Sequence, residues 1–110
     1  MGVAGNKVVD PPRDRLAHAF RTDRPDVVLE AARGISDPSL VDAVLICEML
    51  ARHGHPLADR ALGRLVGRLM FERHLDLDTS DTVIMLARQL PDAEAVAALL
   101  RIARSGRASD

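Results

Sequence analysis

Five prolines stand where an α-helix could begin: Pro11, Pro25, Pro38, Pro56 and Pro91. Proline fixes its own φ and has no amide hydrogen, so a helix accepts it in the first turn and breaks around it in the interior. Between these positions apolar residues recur every three or four places rather than every second one, which is the period of a helix with one buried face. The pattern predicts an all-α fold of about six short helices in three helical hairpins, arranged as a six-helix bundle or as a short HEAT-like α-α superhelix. The proline starts lie 14, 13, 18 and 35 residues apart, so no fixed repeat period selects the superhelix.

Composition narrows the kind of core. Hydrophobic residues make up 47% of the chain, but Phe20 and Phe71 are its two aromatic residues. Burial must therefore come from aliphatic side chains, each contributing about 1.5–3 kcal/mol when fully buried. A length of 110 residues suits one domain. The expected organisation is a tail over 1–9, one helical domain over 10–105 and a second tail over 106–110.

Charge is nearly balanced, 15 basic against 16 acidic residues, which removes the overall positive field of a general nucleic-acid binder. Lys7 is the sole lysine among those bases, and the arginine- and alanine-rich usage suggests a bacterial source. A single cysteine, Cys47, lies among Leu45, Ile46, Met49 and Leu50, so a buried thiol and a cytoplasmic location are expected. Neither a membrane-spanning run nor a leader-like apolar stretch is read from the sequence.

The first helix is expected from an Asp10 cap to Arg21, with Leu16, Ala17 and Phe20 inward, and the second from Pro25 to Arg33, stopped by a left-handed Gly34. Ser36-Asp37-Pro38 opens a third helix that is apolar nearly all round and so belongs at the centre, ending at Gly54. The fourth runs from His55-Pro56 to about Arg73, with Leu57, Ala61, Leu62, Leu65, Leu69 and Met70 on one stripe. Thr79 or Ser80 caps the fifth after a polar connector from Asp76, and the sixth spans Asp92 to about Arg104 with Val96, Leu99, Leu100 and Ala103 inward, closed by Gly106.

No group of residues amounts to a catalytic motif. Cys47 and His53 on one helix lie about 120° apart around its axis, which suits no tetrahedral zinc site. The Asp76–Asp81 turn lacks the glycine and the closing glutamate of a calcium loop. No metal or other cofactor is expected, no small-molecule substrate is evident, and no acid, base and nucleophile can be assembled, so the protein is read as no enzyme.

Two surfaces remain as candidates. Arg60, Arg64 and Arg68 recur every four residues along the fourth helix, and Arg68 alone has an acid, Glu72, four positions on. Like charges at that spacing repel, so an acidic group offsets them, either the Asp76–Asp81 turn of the same fold or an acidic or phosphate-bearing partner. Gly63 and Gly67 in the same helix suggest close approach of another backbone, as tight packing within the fold or as a homodimer contact. On the third helix the polar line that begins at Asp42 is interrupted by Ile46 and Met49, which are either covered by another helix or form a partner groove. The reading is a non-enzymatic helical protein–protein interaction module, an adaptor, scaffold or regulator, whose partner is another protein or a second copy of itself. The alternative is a transcriptional regulator that places the Arg60/Arg64/Arg68 helix on nucleic acid, against which the balanced charge stands.

Overall fold

A computed structural model describes residues 12–35 and 38–105. The tails expected at 1–9 and 106–110, the Asp10 and Ser36 caps and the closing Gly106 lie outside the described residues. Among the described residues the regular segments are all helical: α1 (Pro12–Thr22), α2 (Pro25–Arg33), α3 (Leu40–Arg52), α4 (Ala58–Glu72), α5 (Leu77–Arg88) and α6 (Ala93–Ser105). None of these helices is long and apolar enough to cross a membrane. The chain divides into two compact units, one through Pro38 and one from Ser39 onward.

In the first unit α1 and α2 form a helical hairpin. Its apolar contact uses Leu16, Ala19 and Val28, all buried. Ala17, expected inward, is exposed, and Ala19 takes its place, because Leu16, Ala19 and Phe20 share one face at i, i+3 and i+4. The turn between the helices is local chemistry. The Thr22 hydroxyl donates to the Ala19 carbonyl at 2.6 Å and accepts from the Arg24 amide at 3.2 Å, while Asp23 adopts a left-handed φ of 56°. Pro25 then opens α2, and Asp26 in its first turn suits the positive end of the helix dipole. Gly34 is not the left-handed stop expected of it. Its φ is −79°, and its amide donates to the Ala31 carbonyl while the Ile35 amide donates to that of Ala32.

The second unit is a ring of four helices in which each packs on its neighbours in sequence and α6 returns to α3. That closure makes it a small bundle rather than an open superhelix. The core holds Leu40, Val44 and Cys47 of α3, Leu65 and Leu69 of α4, Val83 of α5, and Leu99 and Ala103 of α6.

Helix starts in this unit are set by side chains more than by prolines. Ser39 caps α3 by accepting from the Asp42 amide at 3.0 Å, and Asp92 does the same for the Ala95 amide of α6 at 3.0 Å. Neither Thr79 nor Ser80 caps α5. Asp76 does, accepting from the Thr79 amide at 2.8 Å, so the helix already begins at Leu77 and Ser80 is buried inside it. α4 starts at Ala58, later than its proline, because the His55 Nδ1 accepts from the Leu57 amide at 3.0 Å and holds Pro56 in the preceding turn. Gly54, expected at the end of α3, follows it there and adopts a left-handed φ of 61°. At the far end of α4, Arg73 donates twice to the Ala103 carbonyl, at 2.7 and 3.1 Å. That carbonyl lies in the last described turn of α6.

Candidate functional site

The two candidate surfaces fare differently. On α3, Ile46 and Met49 are 9% and 3% exposed, so the wet-face line they would interrupt is not an open groove. Burial runs nearly all the way round this helix, through Leu40, Val44, Ile46, Cys47, Met49 and Leu50, as its apolar sequence requires. Asp42 stands half-buried in the first turn, its backbone amide donating to Ser39.

On α4 the arginine line is split. Arg68 donates from its Nε and one terminal nitrogen to the two Glu72 oxygens, at 2.8 and 3.4 Å. This fork holds the Glu72 carboxyl below its ordinary range, the Arg68 hydrogen bond being the main cause. Arg60 and Arg64 are exposed and make no ion pair among the described residues. The Asp76–Asp81 turn does not answer them. The Asp76 carboxyl is committed to capping α5, and its hydrogen bonds from Thr79 keep it well ionised.

The glycines beside these arginines are open as well. A Cβ built on Gly63 or Gly67 meets no atom within 4 Å, so tight intramolecular packing, the usual reason for paired helix glycines, does not apply here. Phe71 continues the same line, four residues beyond Gly67, and is 80% exposed. Met70 and Leu57, expected on the buried stripe, are exposed too, since the core-facing edge of α4 is narrowed to Leu65 and Leu69 with Ala61, Leu62 and Val66 beside them. The outer face of α4 thus carries two unpaired guanidinium groups, a trough over two glycines and an uncovered aromatic ring. Sequence reasoning found the cations and the glycines but not the ring. Its signal was available: Phe71 falls six residues after Leu65 and two after Leu69, off the face those leucines define.

A shallow groove open to solvent, of about 1060 Å³, lies in the first unit, lined by α1 and α2. Its apolar wall is Ala19, Val27 and Ala31, and its rim carries Arg15, His18 and Thr22. The acids there are solvent-exposed and already paired, Glu30 with Arg33 at 3.0 Å and Asp26 with Arg24 at 3.5 Å, so water screens them from acting as desolvated acids or bases.

Cys47 sits in the core of the second unit, where burial pushes its thiol up to about 12. A thiol in that state is a packing group and not a nucleophile at neutral pH. His53 caps the C-terminal end of α3, apart from Cys47, and no three His, Cys, Asp or Glu side chains converge among the described residues. Compared with protein-family models, with curated proteins and with solved structures, the chain matches none.

Proposed function

We propose that this protein is a non-enzymatic interaction module that receives a protein partner on the outer face of α4. The observation that carries the reading is the pairing state of the arginines. Arg68 is satisfied by Glu72, whereas Arg60 and Arg64 project one turn apart into solvent with no acid among the described residues to answer them. Guanidinium forks of this kind suit carboxylates and phosphates alike, so the protein partner is favoured by what lies beside them. Phe71 beside them supplies the aromatic area that anchors protein interfaces, and the bare backbone at Gly63 and Gly67 lets a partner approach closely.

The nucleic-acid alternative has less to work with. Only two of the three arginines on α4 are free for phosphates, which corresponds to a salt slope of roughly two counterions and weak binding. A bacterial cytoplasmic setting belongs to the same proposal and is supported by the lone buried thiol and the arginine-for-lysine usage.

Immobilised protein tests the reading. The partner retained by the wild type and identified by mass spectrometry is lost with Arg60→Glu/Arg64→Glu and with Phe71→Ser, while circular dichroism stays helical. Retention of the same partner by all variants, or unfolding caused by the arginine changes alone, refutes the assignment of the α4 face.

A further inference from the structure

We infer that the partner for the outer face of α4 is the outer face of α5 on a second copy of this chain; the inference rests on the reading of α4 given above. The outer face of α5 is complementary to that of α4. Leu77, Asp81 and Met85 follow one another at intervals of four residues and so lie on one line, with Asp78 beside it. Leu77 is 82% exposed and Met85 54% exposed, unusual positions for large apolar side chains with nothing over them. Asp78 and Asp81 are exposed, and neither carboxylate makes an ion pair among the described residues.

The two faces match in length, charge and relief. Gly63 to Phe71 and Leu77 to Met85 each span eight residues, about 12 Å of helix. One face offers two unpaired cations beside a trough in which no side chain stands, and the other offers two unpaired anions beside two projecting apolar groups. Leu77 fills the bare stretch at Gly63 and Met85 meets Phe71 at its other end, while Arg60 and Arg64 fork onto Asp78 and Asp81. Within one chain neither set meets the other, because both remain in solvent. A second copy supplies each half with its complement, and a two-fold pair makes the contact twice.

Sedimentation equilibrium of the full chain from micromolar to millimolar concentration tests this. The wild type shifts from the mass of one chain to that of two. Arg60→Glu/Arg64→Glu weakens association about tenfold or more, and so does Asp78→Lys/Asp81→Lys, because each places like charges in contact. An equimolar mixture of these two variants associates again, to within about threefold of wild type, since every contact in the mixed pair is once more between opposite charges. Circular dichroism of each variant at the same concentration checks that the helices persist. A wild-type mass of one chain throughout overturns the inference, as does failure of the mixture to recover. Either result leaves capture of a different protein on α4 intact, and that reading fails separately when Arg60→Glu/Arg64→Glu retains the captured partner.

Discussion

Replacing Gly63 and Gly67 with alanine is expected to stabilise the protein, against the ordinary outcome that substitutions destabilise. Both glycines lie inside α4, well away from its ends, and both are exposed. Glycine in a helix interior costs about 1 kcal/mol relative to alanine, mostly through the backbone freedom it gives the unfolded chain. A price of that size is normally recovered by close packing, but a Cβ at either position meets nothing within 4 Å, so no clash subtracts from the gain. Each alanine should therefore add about 0.5–1 kcal/mol, and the pair about 1–2 kcal/mol, which at roughly 4–8 °C per kcal/mol is a clear rise in thermal midpoint. Urea and thermal unfolding are to be followed by circular dichroism at a concentration where the wild type is a single chain, so that association adds nothing to the comparison. Leucine at the same positions provides the control. On an open surface it retains most of the gain, whereas against a packed neighbour it costs several kcal/mol through overpacking. Loss of stability in either alanine variant would show that another part of the chain covers this face and would refute the open-trough argument.

Three further outcomes follow from the second unit. Leu69→Ala empties a fully buried site in the core that α3 to α6 share and should cost about 2–5 kcal/mol in urea unfolding, enough to threaten the fold of a marginally stable bundle. Arg73→Ala removes both donors from the Ala103 carbonyl and should cost about 1–2 kcal/mol, with Arg73→Lys recovering only part because one ammonium cannot reproduce the fork. Glu72 and Asp76 both titrate below their ordinary range in the folded state, so the stability they supply is fully present at neutral pH and is lost as the pH falls through roughly 4 and below. Asp76→Asn, which keeps a cap without an ionisable group, should flatten part of that acid limb; an unchanged pH profile of the unfolding midpoint would count against the Asp76 cap.

Much of this molecule is legible in short stretches of sequence. Helical period, proline starts and the polar breaks between apolar runs act over a few residues, and they located the six helices of the described residues and the Leu65/Leu69 core edge of α4. The end of α3 at Gly54 and the buried state of Cys47 were legible in the same way, whereas Gly34, placed alike after α2, keeps a φ of −79°. Cap identity was less secure. Ser, Thr and Asp compete for one site when they stand close together, so Asp76 replaced Thr79 and Ser39 supplied the cap of α3.

Tertiary structure alone decided which faces meet. Nothing near Ile46 and Met49 in the sequence says that these two side chains are buried, and nothing near Gly63 and Gly67 says that no described atom approaches them. The return of α6 to α3 and the reach of Arg73 across thirty residues to Ala103 are likewise pairings between distant segments, and so is the want of an acid opposite Arg60 and Arg64 among the described residues. A side chain's propensity is a property of its own backbone, but its partner is fixed by how helices are oriented after they pack. For this chain, helix positions were determined locally, and the open, charged face of α4 emerged only once the bundle had closed around its other side.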